Sequence, residues 1–284
     1  MNIQFECHDE NNLLSEEKPI RAFSYVNYSI PAHFHDFYEM NVVLGGIGKH
    51  EIEGAVFSVK MGDVFVIPPK SAHAYYDTRE LEVYHLLLKK EFINEIEPQA
   101  KNICGYLQLM EIEPYLRQSF SKAMFLHLTS QQLSVFLADA KILEEGGEYD
   151  GDEFLPLKKC TAQKMIYTLS HLLHKQLKDR NTDKGEKYEG QILDTLGYIH
   201  SHFWEKLTVP TLAERVFLSR STFLRSFNSV CGTSPTEYIR RYRTEKAAEL
   251  SRLSRLPKTD IAHLCGFYDL SHMERTLKNK IKAR

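Results

Sequence analysis

The segment LAERVFLSRSTFLRSFNSV, residues 212–230, decides the architecture of the C-terminal third of this chain. Residues 212–216 have the spacing of a short amphipathic helix, residues 217–219 form a tight turn, and a second helix is predicted over residues 220–230. Ser219 can cap that second helix. The inward-facing residues are Phe223, Phe227 and Val230, and the outward-facing ones are Ser221, Thr222, Leu224 and Arg225. A helix, a three-residue turn and a second helix place a recognition helix in the DNA major groove, so the pattern predicts DNA binding.

The same pattern returns about fifty residues later. Residues 260–265 predict a first helix, residues 266–269 a turn and residues 270–280 a second helix. The helix predicted over residues 236–252 spans roughly 25 Å at about 1.5 Å per residue, which suits two recognition helices one turn of B-DNA apart. The predicted core of the two units consists of Phe223, Phe227, Ile261, Leu264 and Phe267.

Charge is distributed unevenly along the 284 residues. Residues 190–284 contain 16 Lys and Arg against 9 Asp and Glu, a net charge of +7, whereas residues 1–189 carry a net charge of −9. A basic end on an acidic body indicates that one end meets a polyanion.

Hydrophobic residues make up 43% of the chain, which excludes wholesale disorder. No apolar run is long enough for a membrane span, and five scattered cysteines favour reduced thiols in a cytoplasmic protein.

In the N-terminal half the spacing of the apolar residues first indicates strands rather than helices. Four apolar or alternating runs, at residues 40–44, 56–59, 64–67 and 81–88, are separated by Gly and Pro turns and favour a small barrel or sandwich. Residues 130–145 and 155–177 have helical spacing, and their apolar stripes form either an internal core or a dimer seam. We therefore predict a multidomain α+β chain. Its parts are a barrel with an N-terminal arm (1–96), a helical region (97–178), a linker (179–190) and an all-α domain (191–284).

The C-terminal pattern resembles the DNA-binding domain of the AraC/XylS family of bacterial transcription regulators over about 95 residues. The matching residues include Leu212-Ala213, Leu218-Ser219, Phe223-x-Arg225-x-Phe227, Gly232-x-Ser234-Pro235, Tyr238-Ile239, Ile261-Ala262 and Gly266-Phe267. The resemblance implies that Ser221, Leu224 and Arg225 approach bases or phosphates on the first recognition helix. Leu270, Ser271, Glu274 and Arg275 would do so on the second.

The chemistry of these side chains differs. Arg225 and Arg275 can bind guanine or phosphate through two hydrogen bonds, whereas Leu224 and Leu270 can only contact a thymine methyl or fill space. Lys258 stands where the family has a hydrophobic residue, and Leu277 stands where it has an aromatic one. The family pattern also continues beyond the second recognition helix, so we expect weaker contacts from this second unit.

The barrel region resembles cupin domains. The motif His33-x-His35-x3-Glu39, followed by Gly62-x5-Pro68 and His73, carries the likeness, and residues 62–69 also resemble the sensor domain commonly joined to this DNA-binding domain. On one strand His33, His35 and Glu39 would share a face. With His73 they could bind a divalent metal such as Zn, Mn, Fe or Ni, contact a polar ligand, or be structural only. Lys70 stands where the cupin motif has a Gly. The spacing of His50 and His85 gives no reason to assign them a role in binding, so we assign them none.

These features favour a ligand-responsive, dimeric regulator that binds double-stranded promoter DNA and is not an enzyme. A barrel rich in Phe, Tyr, His and Glu suits a small hydroxylated effector such as a sugar. Residues 1–20 would form the arm over the barrel mouth. One alternative is a cupin metalloenzyme with a basic helical tail. Another is a shortened regulator that dimerises but binds DNA poorly.

Overall fold

The computed structural model describes residues 6–8, 13–144, 147–149, 151–183 and 188–282. The chain divides into two compact units, residues 1–176 and residues 177–284. Most of the predicted N-terminal arm, the centre of the predicted linker (184–187) and residues 283–284 lie outside the described residues. Within the described ranges, no helix has the combination of length and apolar character that a bilayer span requires.

The first unit is built on an eight-stranded sheet. The four runs predicted as strands lie inside β4, β5, β6 and β7, so those predictions are confirmed. The strands are β1 (Glu6–His8), β2 (Ile20–Val26), β3 (Ile30–His35), β4 (Tyr38–Ile52), β5 (Ala55–Lys60), β6 (Asp63–Ile67), β7 (His73–Leu88) and β8 (Leu126–His127).

The long strands β4 and β7 organise the sheet because each changes neighbours along its length. The first part of β4 pairs with β6, its last part pairs with β5, and it pairs with β7 throughout. The β4–β7 register shifts between Val43 and Lys49. Such bulges bend strands, so the sheet folds over on itself. All assigned pairs are antiparallel except β1 with β3, among the strands that the structure describes.

The folded sheet encloses an apolar core with polar side chains set beside it. The core residues are Val43, Ile52, Val59, Phe65, Ile67, Tyr75, Leu81 and Val83. Leu14, from the segment preceding β2, packs in a separate buried cluster with Phe37 and Leu87. This packing ties the described end of the predicted arm to the sheet.

Helices follow the sheet. They are α1 (Lys90–Ala100), a π-helical turn (Gln108–Ile112), α2 (Glu113–Phe120), α3 (Ser130–Leu143) and α4 (Leu155–Asp183). The helices predicted over 130–145 and 155–177 are confirmed as α3 and α4. A capping box between Thr129 and Gln132 fixes the start of α3. Helix α1 begins before residue 97, and α4 continues to Asp183, so the predicted linker is helical at its start.

The second unit is all-helical, as predicted. Its helices are α5 (Glu189–His202), α6 (Val209–Arg215), α7 (Arg220–Cys231), α8 (Pro235–Leu253), α9 (Lys258–Leu264) and α10 (Leu270–Lys282). Phe223 and Phe227 are fully buried, and Ile261 and Phe267 belong to a second core cluster with Met273. These four core predictions are confirmed.

The prediction that Leu264 is a core residue is wrong, because its side chain is 52% exposed. Ala262 and Cys265 lie in the core. At 3.6 residues per turn Leu264 lies about 200° around the helix from Ala262, so it faces away from that core.

The two helix-turn-helix units share one turn geometry. Phe217 (φ 55°) and Gly266 (φ 72°) are both left-handed and follow the first helix of their units. In the first unit Leu218 N donates to Ala213 O at 3.0 Å, and in the second Phe267 N donates to Ala262 O at 2.9 Å. The structure therefore confirms that the sequence pattern is repeated as a structural motif.

Candidate functional sites

The first recognition helix, α7, is fixed at both ends. The Ser219 hydroxyl accepts from Thr222 N at 3.2 Å, and Gly232 ends the helix in the left-handed conformation at φ 70°. Ser221 and Arg225 are exposed, whereas Leu224 is half-buried. Thr222 is also half-buried, and its hydroxyl accepts from Ser219. The face predicted to contact DNA thus presents to solvent the Arg225 guanidinium and the Ser221 hydroxyl, which lies 3.2 Å from the Ser219 hydroxyl.

The second recognition helix, α10, is preceded by Asp269, whose carboxylate accepts from His272 N at 2.7 Å. Ser271 and Arg275 are exposed. Leu270 is half-buried and packs against the core of its own unit. Glu274 Oε1 lies 3.6 Å from Lys258 Nζ. Lys258, the residue that departs from the family pattern, is therefore paired with Glu274.

Three arginines of α8 are engaged within the protein. Arg240 and Arg241 both bond to Glu237, at 2.5–3.0 Å. Arg243 donates from Nε to Phe203 O at 2.7 Å and from Nη2 to Glu205 O at 2.5 Å. These three arginines therefore stabilise the fold of this unit through hydrogen bonds within the protein.

Glu39 is the centre of a buried cluster in the first unit. Its Oε2 lies 2.9 Å from His35 Nε2 and 3.2 Å from His73 Nε2, and its Oε1 accepts from His85 Nδ1 at 2.7 Å. Burial opposes ionisation, but the hydrogen bonds from the three imidazoles outweigh it and hold the pKa of Glu39 well below its usual range. We call Glu39 with His33, His35, His73 and His85 the Glu39 cluster.

His33 and His35 reach this cluster from β3, and Glu39 reaches it from β4. The expectation that these residues share one strand is wrong, because a bend at Asp36 and Phe37 separates β3 from β4. The bend still brings His35 and Glu39 into contact.

Three histidines of the cluster point one ring nitrogen at a backbone carbonyl. The contacts are His33 Nδ1 to Pro31 O (3.0 Å), His35 Nδ1 to Phe37 O (2.8 Å) and His73 Nδ1 to Ser71 O (3.4 Å). A carbonyl only accepts, so Nδ1 carries a hydrogen, and the Nε2 of His35 or His73 can donate to Glu39 only when the ring is protonated on both nitrogens. The ligand atoms of His33, Glu39 and His73 lie within 4.8 Å of one another. Additional protons on the imidazoles or a bound cation would each satisfy these converging groups.

Sequence reasoning missed His85 and His50. His85 faces the cluster because it pairs in register with Asn41 across β4 and β7. His50 is fully buried, and its ring stacks on Tyr75 at 3.9 Å and meets Phe65 edge-on at 4.7 Å. Burial, with the charges of neighbouring groups, lowers the pKa of His50 well below its usual range, so its ring is neutral. The strand alternation of β7 was the only sequence signal for His85.

Aromatic rings border the Glu39 cluster on one side. The ring of Tyr28 lies 4.6 Å from that of His85 and 5.3 Å from that of Tyr75. Phe23 stacks on His85 at 5.2 Å, and Tyr25 beside it is 55% exposed. Apolar ring faces therefore lie next to a carboxylate and several imidazoles.

Arg117 of α2 is fully buried. Its Nε and Nη2 donate to Glu113, each at 3.0 Å, and Nη2 also donates to Val66 O of β6 at 2.6 Å. Its guanidinium lies 5.9 Å from the ring of Phe65, which faces the sheet core. Helix α2 is thereby joined to the sheet by a buried ion pair.

A folded sheet with a buried polar cluster, joined in one chain to two helix-turn-helix units, defines a DNA-binding regulator with a sensor domain. The family model described as an AraC-like ligand binding domain matches residues 21–146, and that described as a helix-turn-helix domain matches residues 212–283. The chain belongs to the AraC family of transcription regulators.

Curated relatives extend over most of the chain. The HTH-type transcriptional activator RhaS of Escherichia coli O81 (strain ED1a) is 26% identical over 250 residues, covering 88% of this chain and 84% of that protein. RhaS of Yersinia pestis (strain Pestoides F) is 25% identical over 254 residues, covering 89% and 86%.

One solved structure is similar to most of the chain, and another is similar to about a third of it. ToxT from Vibrio cholerae O395 is 13% identical, covers 92% of this chain and 93% of that one, and has a TM-score of 0.34. The DNA-binding domain of AdpA, solved in complex with a target DNA, is 26% identical, covers 32% and 82%, and has a TM-score of 0.31.

Proposed function

We propose that this regulator responds to a small hydroxylated compound, such as a sugar, which binds at the Glu39 cluster and changes its affinity for promoter DNA. The observation that carries the proposal is the buried carboxylate of Glu39, surrounded by imidazoles and bordered by Tyr28 and Phe23. Carboxylate and imidazole groups bind hydroxyls, and aromatic faces pack on the C–H surfaces of sugars.

For DNA binding, we infer that the contacting residues are those of the two recognition helices. The set is Ser221, Thr222, Leu224, Arg225, Leu270, Ser271, Glu274 and Arg275. Exposure supports the serines and arginines most directly, because their side chains face solvent. Leu270 packs on its own core, and Glu274 is paired with Lys258, so we give these two the smaller share of the contacts.

The experiment that tests the function starts from genomic DNA of the source organism. Sheared DNA is incubated with the full-length chain, and the bound fragments are sequenced after selection at two salt concentrations, because phosphate contacts weaken with salt. Enrichment of a few promoter regions supports the proposal. Their affinity is then measured with and without neutral monosaccharides. No enrichment under any condition contradicts it.

Relatives named as activators lead us to propose that the chain activates transcription, as a homodimer, in the cytoplasm where promoter DNA is found. A reporter gene behind an enriched promoter tests the direction of regulation. Sedimentation of the chain with and without promoter DNA tests the dimer. In this proposal the Glu39 cluster binds and does not catalyse. Turnover of a candidate substrate would instead support the metalloenzyme alternative.

A divalent cation is the second candidate occupant of the Glu39 cluster. The observation in its favour is that His33, His35 and His73 direct Nδ1 to backbone carbonyls, while ligand atoms of His33 and His73 lie within 4.8 Å of a Glu39 oxygen. With Glu39 they form a set of nitrogen and oxygen ligands that suits Zn, Mn, Fe or Ni. A bound cation would supply positive charge that holds an oxygen of the effector. Metal analysis of the purified chain, compared with His73→Gln, tests this proposal.

A further inference from the structure

A second group of buried polar side chains lies next to the Glu39 cluster. We call His50, Asn41, Tyr75 and Arg117 the inner subsite. His50 stacks on Tyr75, and Asn41 Nδ2 donates to the Tyr75 hydroxyl at 3.3 Å. The ring of His50 is 5.8 Å from that of His73, which belongs to the Glu39 cluster, so the two polar groups adjoin.

Four polar atoms of the inner subsite have no hydrogen-bond partner among the residues that the structure describes. They are Asn41 Oδ1, His50 Nδ1, His50 Nε2 and Arg117 Nη1, all on side chains with 0% exposure. Buried polar atoms are nearly always paired, and leaving one unpaired destabilises a protein. Four such atoms in one enclosed region indicate that something else pairs with them.

The inner subsite offers both donors and acceptors. Arg117 Nη1 only donates, Asn41 Oδ1 only accepts, and the neutral ring of His50 has one nitrogen of each kind. A hydroxyl group also donates and accepts, so several hydroxyls can pair with all of these atoms.

The charges of the region select a neutral ligand. The charge of Arg117 is already balanced by two hydrogen-bonded contacts with Glu113. An anionic group only accepts hydrogen bonds, so it would leave Asn41 Oδ1 unpaired. A cationic ligand would meet the guanidinium of Arg117.

We propose that the inner subsite binds hydroxyl groups of a neutral polyhydroxylated effector whose other end lies at the Glu39 cluster. This inference rests on the proposed function and adds the residues that decide specificity. A site built to hydrogen-bond a hydroxyl discriminates strongly against a ligand that lacks it, because its own polar atoms are then left unpaired. Deoxy analogues of the bound sugar are therefore expected to bind at least tenfold more weakly.

The test uses the full-length chain and a panel of neutral hexoses, pentoses, deoxyhexoses and sugar alcohols. Binding is screened by the shift in melting temperature, and the tightest binder is then titrated calorimetrically. His50→Phe keeps a ring on Tyr75 but removes both unpaired nitrogens. It is expected to melt no lower than the parent and to bind the tightest sugar at least tenfold more weakly. His127→Phe is the matched control. His127 lies on β8 and pairs with Asp63 on β6, so this variant is expected to leave the sugar affinity unchanged.

Glu39→Gln separates failure of this inference from failure of the proposed function. If Glu39→Gln weakens sugar binding and His50→Phe binds within twofold of the parent, the inner subsite is wrong and the proposed function stands. If no sugar in the panel binds, or both variants bind like the parent, both proposals are overturned. Should His50→Phe fail to fold, imidazole ¹⁵N resonances of His50 in the unmodified chain replace it. A shift on adding the sugar supports the subsite, and no shift overturns it.

Discussion

Replacing Gly266 with Ala is expected to destabilise the second unit through its turn. Gly266 has a φ of 72°, where an L-residue is strained, and a Cβ there would lie 2.8 Å from three backbone atoms of Phe203 and Trp204. That backbone has little freedom to move away, because Arg243 holds Phe203 O at 2.7 Å and Glu205 O at 2.5 Å.

The magnitude follows from three contributions. Left-handed strain costs about 1–2 kcal/mol, and overpacking against a fixed backbone costs about 1–3 kcal/mol. The reduced freedom of Ala in the unfolded chain offsets about 0.4–1 kcal/mol. The free energy of unfolding of this unit should therefore fall by about 2–3 kcal/mol, or roughly 10–20 °C in melting temperature for a domain of this size.

The assay is urea unfolding of the full-length chain followed by tryptophan fluorescence. The sequence contains one tryptophan, Trp204, which lies beside Gly266, so the signal reports on this unit alone. Gly197→Ala is the control, because Gly197 lies in α5 with no atom within 4 Å of an added Cβ. It should raise stability by about 0.5–1 kcal/mol. A Gly266→Ala chain within about 0.5 kcal/mol of the parent would refute the argument from a fixed backbone.

Three further predictions concern other parts of the molecule. Arg225→Ala should weaken binding to the preferred promoter by about 1–3 kcal/mol in fluorescence anisotropy titrations, as for a bidentate base contact. An unchanged affinity would mean that α7 is not a recognition helix. Ser219→Ala removes the hydroxyl that caps α7 and should lower the stability of its unit by about 1 kcal/mol, measured by the same tryptophan signal. No loss would show that the cap contributes nothing. Glu113→Gln leaves the fully buried Arg117 without its charge partner and should cost about 3–5 kcal/mol. Glu95→Gln, in an exposed ion pair, should cost about 0–1 kcal/mol. Both are measured by urea unfolding followed by circular dichroism, and equal losses would contradict the role of burial.

The DNA-binding unit could be predicted closely because its signals are local. The cap at Ser219, the left-handed turn at Gly266 and the apolar spacing of Phe223 and Phe227 all lie within one or two helical turns of the structure they determine. Leu264 shows the limit of this reasoning. In a helix of seven residues an apolar residue can fall outside the buried face, and only the packed partners decide which residues are covered.

The Glu39 cluster could be predicted only in part. His33, His35, Glu39 and His73 followed from a motif, and the structure brings all four together. His85 could not be placed, because its position depends on the pairing register across β4 and β7. That register is set by bulges between Val43 and Lys49, which no spacing along the chain reveals. The same register places His50 opposite Tyr75, whereas Arg117 lies on α2 and contacts β6.

The central position of β7 has a consequence for how this protein folds. Its pairing with β2 joins residue 20 to residue 88, so the sheet cannot form until most of the first ninety residues have been synthesised. The helices α6 to α10 pack mainly against close sequence neighbours and can form rapidly. Non-local strand pairing is slow, and it exposes strand edges that promote aggregation until it is complete. During synthesis the sheet of the sensor unit is therefore the part more exposed to aggregation.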